Sequence, residues 1–94
     1  MATSLIVHLE IAAEQFNEFL HVVRTHGEFS EKTEPGCVSF QVMVPTEEQN
    51  KVILVEVYQD DASLEAHWSS DHMAKYRERV EHMIVDRKRY LCTT

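Results

Sequence analysis

Val52-Ile53-Leu54-Val55-Glu56-Val57-Tyr58 is the stretch that decides the fold. It is β-branched, apolar and nearly unbroken, the composition of a buried strand. Side chains two apart share a face of a strand, so Val52, Leu54, Glu56 and Tyr58 point one way, and Ile53, Val55 and Val57 the other. Both rows need cover, and one of them carries a carboxylate.

Working outward, Pro45-Thr46-Glu47-Glu48-Gln49-Asn50-Lys51 is polar, ends in turn residues and reads as a hairpin loop. Before it Val38, Phe40, Val42 and Val44 alternate with Ser39, Gln41 and Met43, a strand that Pro45 ends. Glu34-Pro35-Gly36 is punctuation. Phe16, Phe19, Leu20 and Val23 are spaced for one face of a helix running from Ala12 to about Lys32. Leu5, Val7, Leu9 and Ile11 alternate as a first strand. Downstream, Asp60-Asp61 can cap a helix with Leu64, His67 and Trp68 on its apolar side. Ser69-Ser70-Asp71 can cap a further helical piece striped by Met73, Tyr76, Val80, Met83 and Ile84. Tyr90-Leu91-Cys92 reads as a short last strand after the basic Arg87-Lys88-Arg89.

The order is β-α-β-β-α-β, an α+β ferredoxin-like arrangement filling residues 1–94 as a single domain. Helices cover one face of its antiparallel sheet. The row Ile53, Val55 and Val57 on the other face should not stay wet. A second copy packed sheet to sheet, a homodimer, is the expected cover. The alternative is the last helix or the C-terminal tail wrapping over that face.

Composition removes several classes of function. Ninety-four residues carry a formal net charge of −7, which argues against nucleic acid or an anionic membrane as main partner. Two glycines, Gly27 and Gly36, cannot build a dinucleotide fingerprint or a phosphate loop. Cys37 and Cys92 lack metal-site spacing and are too few for a disulfide scaffold, and the N-terminus has no basic region before its apolar run. A cytoplasmic protein with idle thiols is the expectation.

Glu56 is the local conflict. On the helix-covered face it is desolvated, which raises its pKa and makes it a possible general base near neutrality. The competing reading is a glutamate that reaches water at a sheet edge or pairs with Arg77 or Arg79. His67, on the stripe with Leu64 and Trp68, is either a catalytic or a satisfied core histidine. His72 follows Asp71 at a helix cap and could serve only that terminus. His26 lies near the end of the first helix, within reach of a pocket mouth, whereas His21 and His82 fall off their stripes. His67 and His72 are five apart, about 140° around a continuous helix, where ligand pairs need three or four. A break at Ser69-Ser70 would be needed to unite them with Glu56 on a metal. No metal is therefore expected.

Glu56-Val57-Tyr58, followed by Asp60-Asp61, Leu64, Ala66-His67, Ser70-Asp71-His72 and Tyr76, resembles the antibiotic biosynthesis monooxygenase domain family. The turn Glu34-Pro35-Gly36-Cys37-Val38-Ser39-Phe40 is similar to that family's entry into its second strand. The resemblance runs from Leu5 to about Tyr90. It implies a dimeric α+β barrel and a substrate pocket between each sheet and its own helices. Carried over by position, Glu56, Tyr58, His67 and His72 would line the pocket, with Phe40 and Trp68 as walls. The family includes oxygenases that oxidise anthrone-type or quinol substrates with O2 without metal or flavin, isomerases of phosphorylated autoinducer breakdown products, and haem-degrading enzymes. In the haem branch an asparagine stands at the position of Val7 and a ligand histidine at that of Arg77, so haem breakdown is disfavoured. The expected function is a cofactor-independent monooxygenase acting on a quinol or polycyclic phenol. An isomerase of a small, phosphorylated carbonyl compound and a non-catalytic dimeric binding protein are the alternatives. Arg87-Lys88-Arg89 would favour the isomerase if it bordered the pocket.

Overall fold

The computed structural model describes residues 1–94. Its elements are β1 (Thr3–Ile11), α1 (Phe16–Thr33), β2 (Cys37–Met43), β3 (Lys51–Tyr58), α2 (Asp61–Trp68), α3 (Asp71–Val80) and β4 (Ile84–Thr93), with single 3-10 turns before α1 and after α3. The four strands form one antiparallel sheet in the order β2-β3-β1-β4, the ferredoxin-like topology. β1 and β3 are central, in a register that sets Leu5 opposite Glu56, Val7 opposite Leu54 and Leu9 opposite Val52. The period-two pattern thus puts Leu5, Val7, Leu9, Ile11, Val52, Leu54 and Tyr58 under the helices, where all are buried. Phe19, Val22 and Val23 of α1, Val80 of α3 and the following Met83 complete the core. Each such large side chain contributes about 1.5–3 kcal/mol through the water it sheds.

Local chemistry fixes the helical layer. Asp60 caps α2 by accepting a 2.8 Å bond from the Ser63 amide, and Ser70 caps α3 by accepting one of 3.2 Å from the Met73 amide. The two helices are therefore separate pieces with a break at Ser69-Ser70. α1 lies so close to β2 that a Cβ on Gly27 would sit 2.4 Å from the Phe40 ring, so glycine is required there. Glu34 leaves α1 in an extended conformation, as a residue before proline must.

Three expectations change. Val38 does not share a face with Phe40: the β2–β3 register shifts between Cys37 and Ser39, and Val38 bulges outward, 59% exposed. The last strand is not the short Tyr90–Cys92 piece, because β4 runs from Ile84 and takes in the whole basic run. The C-terminal tail does not wrap the open face, since it is used as the edge strand β4 beside β1. On that open face Ile6, Ile53, Val55 and Val57 are half-buried, and Met43 and Tyr90 are exposed. His8 lies there too, edge-on to the Tyr90 ring at 5.6 Å. No helix is long and apolar enough to cross a membrane.

Candidate active site

A cavity of about 90 Å³ opens between the sheet and its helices. Leu5, Val7, Leu9 and Leu54 form its floor, and Met73, Tyr76 and Val80 of α3 form part of its roof. The polar groups that reach it come from five elements. Glu56 rises from β3, His26 from α1, His67 from α2, and Arg87 and Arg89 from β4, joined by Arg77 of α3. Phe40 and Trp68 line the walls.

Glu56 is 4% exposed and accepts a 2.6 Å hydrogen bond from the Tyr58 hydroxyl. Burial pushes its pKa up to about 7, against the pull of that bond. No arginine pairs closely with it. Tyr58 is fully buried and lies behind Glu56 rather than on the cavity wall; burial and the neighbouring carboxylate push its own pKa up. His67 is 2% exposed, with Nδ1 at 2.7 Å from Oε2 of Glu34 and Nε2 at 3.9 Å from Oε1 of Glu56. Burial lowers its pKa more than the Glu34 bond restores it. A neutral ring that donates from Nδ1 to Glu34 leaves the Nε2 lone pair facing Glu56 and the cavity. The 3.9 Å separation is thus an approach of two acid-base groups, not an ion pair.

His26 is buried, stacked on Tyr76 at 4.1 Å, and its pKa is lowered to about 3 by burial and by the neighbouring His67 and His72. Its Nε2 has no hydrogen-bond partner. A buried orphan nitrogen is costly and marks a place where a bound molecule can supply the missing bond. His72 is not on the cavity wall; it stands behind His67, with Nε2 at 2.5 Å from Oε2 of Glu34.

The structure therefore brings Glu56, His67, His26, Phe40 and Trp68 to one cavity and sets Tyr58 and His72 behind it as partners. Sequence reasoning missed Glu34, which orients both histidines, because a glutamate before Pro-Gly reads as a turn. It placed His26 only at a pocket mouth, although His26 continues the stripe of Phe19 and Val23 along α1 and could have been found that way. Arg87 and Arg89 do border the cavity, because they lie opposite Leu9 and Val7 in the β1–β4 register and so face the helical side. The break between α2 and α3 does unite His67 with His72, but their shared carboxylate is Glu34 and not Glu56.

Residues 3–79 match the family model described as antibiotic biosynthesis monooxygenase. Among solved structures, a candidate antibiotic biosynthesis monooxygenase from Nitrosomonas europaea superposes with a TM-score of 0.93 at 21% identity, over 99% of this chain and 89% of that one. Another, from Bacteroides thetaiotaomicron, gives 0.92 at 24% identity over 99% and 89%. A conserved protein from Methanosarcina mazei gives 0.92 at 19% identity over 100% and 93%. At these identities the likeness is one of fold. No curated protein sequence matches.

Proposed function

This chain belongs to the antibiotic biosynthesis monooxygenase family, and from that premise we propose that it oxidises a quinol or related phenol with O2, with Glu56 and His67 as its acid-base pair. The observation that carries the reading is the approach of these two groups, at 3.9 Å, on the wall of an otherwise largely apolar cavity. A phenol hydroxyl placed there gives its proton to His67 Nε2 or to Glu56. The electron-rich anion passes one electron to O2, and the resulting radical and superoxide combine in a carbon–oxygen bond. Loss of water leaves the quinone carbonyl. One oxygen atom enters the substrate, the other leaves as water with two of the substrate's hydrogens, and the substrate is the only reductant. His26 Nε2 and the arginines supply hydrogen bonds to the developing oxyanion.

The cavity of about 90 Å³ is well below the roughly 300–1,000 Å³ of sites for larger ligands. A one-ring quinol is therefore the favoured size, and a polycyclic substrate requires Arg87 and Arg89 at the rim to swing outward. The working unit in this proposal is a homodimer packed through the open sheet face.

The test is O2 uptake by EDTA-treated protein against a panel of chemically reduced quinols. Glu56→Gln and His67→Ala should each lower turnover by about 10²–10⁴. Uptake that is unaltered in both variants would remove them from the chemistry. Arg77, Arg87 and Arg89 at the same cavity favour a second reading, an isomerase of a small anionic carbonyl compound using the same pair. Turnover that proceeds equally well without O2 would select it.

A further inference from the structure

We propose that Glu34, His67 and His72 form a binding site for one divalent first-row transition-metal ion. This goes beyond the oxidation of a phenol and does not depend on it. The three residues each offer one donor atom, and these atoms lie within 4.8 Å of one another. Oε2 of Glu34 is the hub, 2.7 Å from Nδ1 of His67 and 2.5 Å from Nε2 of His72. Ligands about 2.0–2.1 Å from a tetrahedral ion stand about 3.3 Å from each other. Admitting the ion therefore requires Oε2 of Glu34 to part from each histidine nitrogen by less than an ångström, while the two nitrogens lie within 4.8 Å of each other.

The surroundings supply what such a site needs beyond its ligands. A histidine bound through Nδ1 carries its proton on Nε2 and needs an acceptor for it. For His67 the facing oxygen is Oε1 of Glu56, 3.9 Å from Nε2, which must close by about an ångström to accept that proton. Around Nε2 of His72 stand two further oxygens, Ser30 Oγ at 3.2 Å and Ser70 Oγ at 3.4 Å. Both hydroxyl protons are committed elsewhere, to the His26 carbonyl at 2.9 Å and the His67 carbonyl at 2.7 Å. Their lone pairs thus turn toward the position an ion or its water would take. Glu34 also borders an outer groove with Pro35, Gly36, Asp60 and Ser63, which gives the ion an entry path. Imidazole and carboxylate without thiolate suit Zn²⁺, Co²⁺, Ni²⁺ or Fe²⁺ rather than Ca²⁺ or Mg²⁺. Occupancy has a consequence inside the cavity: with the proton held on Nε2, His67 faces the cavity as a donor and no longer as an acceptor.

The experiment is titration of EDTA-stripped protein with Co²⁺, read by its ligand-field absorption, and with Zn²⁺, read by calorimetry. One saturable ion per chain is expected. Glu34→Gln and His72→Ala should each weaken binding by at least about tenfold, while His21→Ala and His82→Ala, exposed on other surfaces, should leave it unchanged. Circular dichroism checks that the variants fold. If Glu34→Gln does not fold, His72→Ala decides, because His72 is only half-buried at the start of α3. Absence of a saturable signal overturns the proposal. So does wild-type affinity in His72→Ala, or loss of binding in either exposed-histidine control. None of these readings involves O2, so failure here leaves the oxygenase proposal standing, and the reverse.

Discussion

The two faces of the sheet are built from the same strands by the same alternation, yet they do opposite things. On the helix side β3 contributes Val52, Leu54, Glu56 and Tyr58, all buried, and its carboxylate is enclosed with a hydrogen-bond partner. On the other side it contributes Ile53, Val55 and Val57, which remain half-buried beside exposed Met43 and Tyr90. Along β3 the row with the polar group is closed and the wholly apolar row is open, although the neighbouring strands add Ser4, His8, Gln41 and Lys88 to that open face. A protein that only needed a core would do the reverse. The difference teaches that one strand can enclose a carboxylate on its covered side and leave an apolar row without cover on the other, and both halves of that contrast can be broken experimentally.

The largest effect is expected on the open face. Val55→Glu places a charge at the middle of the apolar row, where a packed partner sheet would leave it desolvated and unpaired. Light scattering should show the mass of two chains for the wild type and of one for the variant, with the far-ultraviolet spectrum retained. A wild type that is monomeric at all concentrations would end the comparison as stated. Next in size is the covered face itself. Phe19 is fully buried in α1, and Phe19→Ala should cost about 3–5 kcal/mol in urea unfolding. Val57→Ala should cost clearly less if the dimer is first dissociated, because its side chain then packs on one side only.

A smaller effect sharpens the role of the buried carboxylate. The pKa of Glu56 is raised to about 7 in the folded chain from an ordinary value of 4.5. The folded state then holds the proton more tightly than the unfolded chain, so its stabilising share is complete below pH 4.5 and lost as pH rises through 7. Unfolding free energy should fall by about 1–3 kcal/mol between pH 5 and pH 8 in the wild type, relative to Glu56→Gln, in which that dependence is absent. Parallel pH profiles for the two proteins would mean that Glu56 stays ionised throughout.

How much of this contrast was legible in the sequence follows from which forces are local. The strands β1 and β3, the helix α1 and both helix caps are written in period and cap chemistry, so Leu5 to Ile11, Val52 to Tyr58, Asp60 and Ser70 could be read directly. The resemblance to the antibiotic biosynthesis monooxygenase family rested on Glu56, Tyr58, His67 and His72, spaced along one strand and the following helices, and left open which of them acts as base. What escaped is tertiary. Val38 looks like any strand valine, and its bulge arises from fitting β2 to the register of β3. Whether Arg87 and Arg89 border the pocket stayed open, because nothing local says that the strand carrying them pairs with β1 in the register that turns both toward the helical side. Glu34 escaped because the chain returns to it from 33 and 38 residues away, at His67 and His72.

The least of the expected effects tests whether the helical layer belongs to the covered face alone. Asp60 is exposed, and its carboxylate holds both the Ser63 amide at 2.8 Å and the Ser63 hydroxyl at 2.7 Å, away from the cavity residues. Removing the cap in Asp60→Ala should lower the Tm slightly. Because α2 carries His67 into the cavity and does not touch the open face, the mass of the assembly should not change. O2 uptake should hold too, since fraying at the first turn leaves the last turn, where His67 sits, anchored by Glu34. A fall in mass would mean that the two faces are coupled through the strand ends next to Asp60. A fall in uptake with Tm intact would mean that the start of α2, and not only Glu34, sets the position of His67.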